Sequence, residues 1–207
     1  MRDLTEDFGD IDIYLFDQLL RGRIAPGTRV IDAGCGGGRN LVYLLKAGYD
    51  VAGCDRDPGA VEAVRAMASR LAPQIPGGNF RVEPIEAMSF PDACADVVLA
   101  SAVLHFASGD EQFQAMVESL WRVLKPGGIL FARLASSIGI ERQVQRVHGR
   151  RHRLPDGSER YLVDERMLID LTRGLGSELI DPIKTTVVQD QRAMTTWVVR
   201  KLLIADC

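Results

Sequence analysis

The sequence predicts an α/β fold with a doubly wound, mainly parallel sheet of seven strands. From residue 28 onward, short runs rich in Val and Ile alternate with longer amphipathic runs, which is the pattern of βαβ units. The first run breaks into the glycine-rich segment 34–38 before a helical run. The last two strand-like runs lie only a few residues apart, too close for a parallel connection. We therefore expect five parallel strands closed by a C-terminal antiparallel hairpin.

The individual elements follow from periodicity and from helix-capping residues. Asp57 and Pro58 are a typical N-cap and first helical residue, and 125–128 (KPGG) is typical of a helix end. The predicted strands are 29–33, 50–54, 79–83, 95–101 and 129–134, and the helices between them are 39–47, 58–72 and 111–124. A helix at 164–174 then precedes the hairpin strands 184–189 and 195–201.

Length and composition favour one domain over residues 1–207, since 207 residues with 46% hydrophobic content suffice for a single core. Residues 1–27 form an N-terminal segment before the first strand. The net charge of −3 gives no overall basic surface for nucleic acid. The cysteines, at positions 35, 54, 94 and 207, form no CxxC pair, which predicts reduced thiols and a cytoplasmic protein. We see no signal peptide or membrane-spanning run.

The glycine-rich turn after the first strand is the place where open α/β sheets bind ligands. Its spacing is DxGxGxG, from Asp32 through Gly34, Cys35 and Gly36. The dinucleotide fingerprint GxGxxG would need a third glycine where Arg39 stands, and an acid before the turn would repel a pyrophosphate. The turn therefore does not match a pyrophosphate-binding turn.

Asp55 ends the second strand, 23 residues after Asp32. A carboxylate there can accept hydrogen bonds from both hydroxyls of a ribose. The alternative is that Asp55 caps the helix that begins at Pro58, although Asp57 is better placed to do so.

These segments resemble the class I S-adenosylmethionine-dependent methyltransferases, over about residues 27–201. The resemblance is carried by VIDAGCGGGRN, CDRD, ADVVLASAVLHF and LWRVLKPGGILFARL. It implies a Rossmann-like fold with S-adenosylmethionine as cofactor, the glycines lying under its methionine and ribose and Asp55 binding the ribose. Arg56 and Ser101 are assigned to the same cofactor site.

The resemblance also implies contacts at the two ends of the cofactor. Family members usually bind adenine with an acid after the third strand, but Pro84 stands there, so the role passes to the Ile85 backbone and Glu86. Arg39 and Asn40, at the start of the following helix, are expected to bind the methionine carboxylate together with helix N–H groups. The alternative for Arg39 is an exposed position on the helix surface.

His105 follows the fourth strand on the cofactor side of the sheet. It is our candidate catalytic residue, because an imidazole can take a proton from the acceptor near neutral pH. The alternative is a histidine packed between Leu104 and Phe106. We predict no metal, since His148 and His152 have no nearby Cys or carboxylate to complete a ligand set.

The methyl acceptor is expected to be a small molecule. The Asp/Asn-Pro-Pro-aromatic tetrad of DNA amino-methyltransferases is absent after the fourth strand, where 101–104 reads SAVL. Overall length and the VLHF segment resemble the small bacterial-type enzymes that methylate metabolites. The sequence gives neither the acceptor, the methylated atom nor the oligomeric state.

The irregular stretch 135–163 is the predicted substrate lid. It is rich in arginine, and Arg150, Arg151 and Arg153 are candidates for binding an acidic acceptor, with a solvated surface as the alternative. Residues 154–158 (LPDGS) predict a tight turn between two short strands. The N-terminal segment with Phe8, Tyr14 and Phe16 is the candidate opposite wall, and Tyr14 is the residue we assign to the acceptor.

Two other functions use the same features. A nicotinamide- or flavin-dependent oxidoreductase would share the sheet and the acid after its second strand, but the glycine spacing and the terminal hairpin argue against it. A non-catalytic protein that binds S-adenosylmethionine is the second alternative, since methyl transfer requires no diagnostic catalytic residue.

Overall fold

The computed structural model describes residues 4–203, which form an eight-stranded mixed sheet and a separate three-stranded sheet. Five parallel strands make up one side of the large sheet. They are β1 Arg29–Ala33, β2 Asp50–Asp55, β3 Phe80–Val82, β4 Ala95–Ser101 and β5 Leu124–Ser136. Their order across the sheet is β3-β2-β1-β4-β5. The predicted fold class is confirmed.

The antiparallel part of the large sheet adds one strand to the prediction. β10 Lys184–Val188 and β11 Arg192–Lys201 form the expected hairpin, with positive φ at Gln189 and Asp190 as a tight right-twisted turn requires. β11 also pairs with β5, so the hairpin continues the sheet. β9 Ser177–Leu179, which the sequence analysis missed, pairs with the end of β11. Three residues are too few to show an alternating pattern.

Helices cover both faces of the sheet and divide the core in two. One cluster of buried residues includes Phe113, Leu168 and Trp197, and the other includes Leu15, Leu44 and Val64. The helices are α1 Leu4–Phe8, α2 Ile13–Leu20, α3 Val42–Lys46, α4 Pro58–Leu71, α5 Asp110–Val123 and α6 Glu165–Gly174. This arrangement leaves the carboxyl edge of the parallel strands open between the two layers.

Three predicted starts differ from the structure by three residues or more, and one of them is that of β11, which begins at Arg192 rather than at residue 195. The helix expected from Arg39 begins only at Val42, because the chain continues as a turn through Leu41, with a Leu41 N–H to Gly38 C=O bond of 2.9 Å. β5 begins at Leu124 rather than after the KPGG segment. Its register with β4 shifts after Ala95, so the two glycines at 127 and 128 form an irregularity within the strand.

The predicted lid contains a small antiparallel sheet. Its strands are β6 Gln145–His148, β7 Arg151–Arg153 and β8 Glu159–Tyr161. The turn predicted at 154–158 is confirmed, with Gly157 at φ +83° and the Leu154 N–H 2.8 Å from the Ser158 carbonyl. No separate pattern in the sequence predicts β6, whose residues are all exposed.

The small sheet rests on α5 and on the segment just before it. The Tyr161 ring stacks on Phe113 at 4.6 Å between centroids, and its hydroxyl donates to Asp110 Oδ1 at 2.8 Å. Arg151 donates to the Ala107 carbonyl at 3.0 Å. These contacts fix the small sheet beside the carboxyl edge of the large one.

Within residues 4–203, no helix has the length and apolar character needed to cross a membrane. The same part of the chain contains no group of three or more His, Cys, Asp or Glu side chains that could hold a metal ion. Its cysteines, Cys35, Cys54 and Cys94, are free thiols, whereas Cys207 lies outside the described residues.

Replacing Tyr161 by Phe should destabilise the protein by about 1–2 kcal/mol, because the ring keeps its stacking while Asp110 loses a hydrogen-bond donor. Urea unfolding measures the difference. Y43F is the control, since the Tyr43 ring also stacks on a Phe but its hydroxyl has no hydrogen bond within the described chain. Equal stability of Y161F and wild type would mean that this hydrogen bond does not hold the small sheet.

Candidate functional site

A cavity of about 390 Å³ opens at the carboxyl edge of the parallel strands. Its walls come from the segments that follow β1, β2, β3 and β4, together with α5. Ten of the eleven residues that the sequence analysis assigned to a cofactor line it: Gly34, Cys35, Gly36, Arg39, Asn40, Asp55, Arg56, Ile85, Glu86 and Ser101.

The glycine turn forms the floor of the cavity. Gly34 has φ +76°, and a Cβ there would lie 2.4 Å from Val103 Cγ2, so no side chain fits between the turn and the exit of β4. Gly36 has φ +50° and faces open space, since a Cβ at this position would have nothing within 4 Å. A side chain at 36 would project into that space. The first glycine therefore permits packing, and the second keeps the cavity open.

Asp55 holds the turn from the neighbouring strand. Its Oδ2 accepts the Gly36 N–H at 2.9 Å, and its Oδ1 accepts the Asp57 N–H at 2.9 Å. The N-cap of α4 is Asp57, whose Oδ1 accepts the Gly59 N–H at 2.8 Å. The alternative role of Asp55 as a helix cap is therefore excluded, and its carboxylate lines the cavity.

Asp32 lies behind the cavity wall rather than on it. The residue is 2% exposed. Burial raises its pKa to about 7, an effect that the Arg39 guanidinium opposes and the Asp55 carboxylate reinforces. Asp32 therefore titrates near neutral pH, and it lies within β1, two residues before Gly34.

The far wall is formed by a short 3-10 helix, Ile85–Ala87, after Pro84. Glu86 Oε1 accepts the Gln112 Nε2–H at 2.7 Å, and Gln112 Oε1 in turn accepts the Ser108 N–H at 2.8 Å. Gln112 also lines the cavity, and the sequence analysis missed it because a polar residue on an amphipathic helix carries no distinctive signal. Glu86 and Gln112 together present a carboxylate and an amide group to a ligand.

Arg39 and Asn40 lie in the turn before α3 rather than in a helix. The prediction that these two residues bind the methionine carboxylate at a helix N-terminus is therefore wrong in its helix start, which lies at Val42. Arg39 Nη2 donates to Ser101 Oγ at 2.9 Å, which fixes the guanidinium at the cavity edge. Asn40 Oδ1 accepts the backbone N–H of Asp12 at 3.0 Å and so holds the N-terminal segment.

Asp12 and Arg133 are two charged residues of this region that the sequence analysis missed. The Asp12 side chain is 0% exposed, and its Oδ2 accepts Arg133 Nη1 at 2.7 Å and lies 3.6 Å from Arg39 Nη2. Its Oδ1 accepts the Tyr14 N–H at 3.0 Å as the N-cap of α2. From the sequence, only the role of Asp12 as the N-cap of α2 could have been inferred. The N-terminal segment is thereby joined to the cavity edge.

His105 is not among the residues that line the cavity. It is 6% exposed, and its Nδ1 accepts the Ala135 N–H at 3.3 Å. Burial lowers its pKa to about 4, with a further contribution from the positive charge of Arg160. This arrangement fits the packed alternative, and the catalytic role of His105 stays a prediction that the geometry does not support.

The residues predicted to bind an acceptor are placed differently from one another. The Tyr14 hydroxyl lies 2.6 Å from Thr186 Oγ1, and its ring lies beside the Arg133 guanidinium, 5.3 Å from Cζ.

The three arginines predicted to bind an acidic acceptor, Arg150, Arg151 and Arg153, do not line the cavity. Their partners are Asp164 for Arg150 at 2.8 Å, the Ala107 carbonyl for Arg151 at 3.0 Å, and Glu159 for Arg153 at 2.8 Å. The small sheet reaches the cavity wall instead through Arg160, whose Cζ lies 4.9 Å from the centre of the Phe106 ring.

A family model described as "Methyltransferase domain" matches residues 31–132, which include the end of β1, the glycine turn, Asp55 and β4. The chain is 35% identical over 123 residues to a ubiquinone biosynthesis O-methyltransferase of Methylocella silvestris, covering 58% of this chain and 46% of that protein. The chain spans about a third to a half of the length of the first curated relatives that it matches.

Solved structures resemble the whole fold. A protein of Methanosarcina mazei described among SAM-dependent methyltransferases is 21% identical, with a TM-score of 0.73 over 90% of this chain and 98% of the other. The 1,6-didemethyltoxoflavin-N1-methyltransferase of Burkholderia thailandensis, solved with 1,6-didemethyltoxoflavin and S-adenosylhomocysteine, is 19% identical. Its TM-score is 0.70 over 98% and 82% of the two chains. At these identities the likeness establishes the fold.

The buried carboxyl of Asp32 predicts a pH-dependent stability. Its pKa is raised from 3.8 to about 7, so its contribution to folding is present in full below pH 3.8 and is lost as the pH rises through 7. D32N removes that loss. Its unfolding free energy relative to wild type should rise by about 3 kcal/mol between pH 5 and pH 8, as measured by urea unfolding at each pH. A difference that is constant across this range would contradict the assignment.

Proposed function

The chain belongs to the class I S-adenosylmethionine-dependent methyltransferase family, and from that premise we propose that it transfers the cofactor's methyl group to a small-molecule acceptor. The observation that carries the proposal is the convergence of ten sequence-assigned cofactor residues on one cavity. They come from separate strand ends of the sheet, and the fold brings them together.

The residues of the cavity fit S-adenosylmethionine. Asp55 would bind the ribose hydroxyls, since its carboxylate lines the cavity beside the open space above Gly36. Glu86 and the Ile85 backbone would hold the adenine, and Arg39 the methionine carboxylate. The Arg39 guanidinium is already fixed by Ser101, so binding would order few additional bonds.

The chain's contribution to the reaction is orientation and exclusion of water. The bound cofactor supplies an electrophilic methyl group next to a sulfonium. The chain must then align the acceptor within contact distance of that group, which is an entropic and geometric effect. Val103, Phe106 and Met116 give the cavity an apolar wall. Because His105 lies outside this wall, the proposed reaction does not use it as a base, and it takes an acceptor that is nucleophilic without its help.

A small-molecule acceptor is supported by the relatives whose names state a small substrate or pathway, among them the ubiquinone and toxoflavin methyltransferases. We further propose placement in the metabolite-methylating branch, a cytoplasmic location and a single domain whose segment 135–163 covers the acceptor. DNA is not proposed as a partner.

The oxidoreductase alternative is not favoured, because both the family match and the glycine spacing point to S-adenosylmethionine. The alternative of a non-catalytic cofactor-binding protein differs from our proposal in turnover alone. An enzyme forms S-adenosylhomocysteine with at least one acceptor, and a sensor does not.

Calorimetric titration should show binding of S-adenosylmethionine and S-adenosylhomocysteine in preference to NAD. A library of small hydroxy, amino and carboxylic compounds, assayed for S-adenosylhomocysteine release, should then identify acceptors. Binding of NAD without binding of S-adenosylmethionine would refute the proposal. Cofactor binding with no turnover on any class of compound would favour the non-catalytic alternative.

Asp55→Ala should weaken cofactor binding by about 1.5–3 kcal/mol, because it removes hydrogen bonds to a charged group and frees the Gly36 N–H from its partner. Asp57→Ala is the matched control. It removes the N-cap of α4 and should cost about 1 kcal/mol of stability while leaving cofactor affinity unchanged. Calorimetry gives the affinity and urea unfolding the stability. The assignment fails if the two variants bind the cofactor equally well.

A further inference from the structure

We propose that Arg133 is a positioning residue for cofactor binding: it pairs with Asp12 and thereby leaves the guanidinium of Arg39 free to bind the cofactor's carboxylate. The inference rests on the proposed function, in which Arg39 binds that carboxylate, and adds a residue that the ligand does not touch. Arg133 is not among the residues that line the cavity, whereas Arg39 is. Its effect on the ligand must therefore pass through its neighbours.

Arg39 is held at the cavity edge by two hydrogen bonds. Its Nη2 donates to Ser101 Oγ at 2.9 Å, and its Nη1 donates to the Asp10 carbonyl at 3.3 Å. The Asp12 carboxylate lies slightly farther away, with Oδ2 3.6 Å from Nη2, beyond hydrogen-bond distance. Arg39 thus bonds to neutral oxygens and has a negative charge nearby that it does not bond. Its positive charge therefore stays available for a bound carboxylate.

Asp12 is fixed beside Arg39 and needs a cation of its own. Its backbone N–H donates to Asn40 Oδ1 at 3.0 Å, and its Oδ1 accepts the Tyr14 N–H at 3.0 Å. The side chain is 0% exposed, so water does not compensate its charge. A buried carboxylate without a cation strongly destabilises a fold. Within the described chain, Arg133 is the one cation at hydrogen-bond distance from it, with Nη1 2.7 Å from Oδ2.

The charges of this group show what Arg133 contributes. Arg39 and Arg133 carry two positive charges against the single negative charge of Asp12, which leaves one positive charge for one cofactor carboxylate. Burial raises the pKa of Asp32, and the positive charge of Arg39 opposes that rise, so a second buried acid also lies near Arg39. Without Arg133, Arg39 would be the nearest cation to Asp12 and would shift from Ser101 onto it. The remaining group would then have no excess positive charge for the cofactor.

The fold places Arg133 on the same face of the sheet as Ser101. The two residues are paired in register on the parallel strands β5 and β4, so their side chains project from one face. Tyr14 contacts the guanidinium from the N-terminal segment. The centre of its ring lies 5.3 Å from Cζ, and its hydroxyl lies 2.6 Å from Thr186 Oγ1. Arg133 is therefore oriented towards Asp12 by contacts outside the cavity.

A second arginine–aspartate pair provides a matched control. Arg23 Nη1 lies 2.8 Å from Asp181 Oδ2, and the Arg23 side chain is 22% exposed, the same fraction as that of Arg133. Asp181 is buried and also accepts a hydrogen bond from Gln18 of α2 at 2.8 Å. This pair too anchors α2, but neither of its residues lines the cavity. R23M therefore measures the general effect of weakening the attachment of α2.

The test compares S-adenosylhomocysteine with its decarboxylated analogue, which lacks only the carboxylate. Calorimetric titrations of both ligands are recorded on wild type, R133M, R23M and the double variant D12N/R133M. Met retains the length and apolar contacts of the Arg133 side chain, and Asn retains the N-cap oxygen at position 12.

Wild type and R23M should bind S-adenosylhomocysteine about tenfold or more tightly than the analogue. R133M should lose most of this preference, while its affinity for the analogue stays within about twofold of wild type. D12N/R133M should regain the preference, because the acid that draws Arg39 away from Ser101 is then neutral.

The inference is overturned if R133M keeps the full preference, if R23M loses it equally, or if D12N/R133M does not regain it. Loss of both ligands in R133M would also overturn it, because Arg133 would then support the whole cavity rather than Arg39. Equal binding of the two ligands by wild type would refute the assignment of Arg39 and this inference with it. Failure of wild type to bind either ligand would instead refute the proposed function.

Discussion

No side chain can be placed at Gly34, and much of the site depends on this constraint. A Cβ there would enter the van der Waals radius of Val103, so the turn after β1 passes directly against the exit of β4. The same turn is tied to β2, because the N–H groups of Gly34 and Cys35 both donate to the Cys54 carbonyl. Three strand ends are thus held at fixed distances around one cavity. Asp55, Ser101 and Arg39 are positioned by this backbone arrangement.

Two buried aspartates beside the cavity have opposite surroundings. The Asp12 side chain is fully buried but has four polar partners, two of them guanidinium groups, so its negative charge is compensated locally. Asp32 is also buried and has a raised pKa, because the opposing charge of Arg39 does not offset its loss of hydration. Burial alone therefore does not determine how much a buried carboxylate destabilises the folded state. The hydrogen-bond donors and positive charges around it do, and for Asp12 most of these belong to distant parts of the chain.

Local pattern in the sequence predicted much of the fold, whereas features that depend on tertiary contact were missed. The strands, the hairpin and the glycine turn follow from periodicity and from residues adjacent in the chain, and so does Asp55. Gln112, Asp12 and Arg133 gain their positions only when α5, α2 and β5 pack at one edge. His105 shows the converse, since a histidine after β4 is correctly placed in the chain, yet its ring turns towards the Ala135 backbone. The three lid arginines similarly bond to neighbours that the sequence did not reveal.

The small sheet enters and leaves the main fold at almost the same point. Ser136 and Val163 form a parallel bridge, the Ser137 N–H donates to the Val163 carbonyl at 2.9 Å, and the Val163 N–H donates to the Ala135 carbonyl at 3.3 Å. Because the ends are adjacent, the intervening residues can lengthen or shorten at little cost in loop-closure entropy, without altering the register of β5 with β11. Evolution can therefore exchange this insertion between related proteins as a module, varying what borders the cavity while the sheet that builds the cavity stays the same.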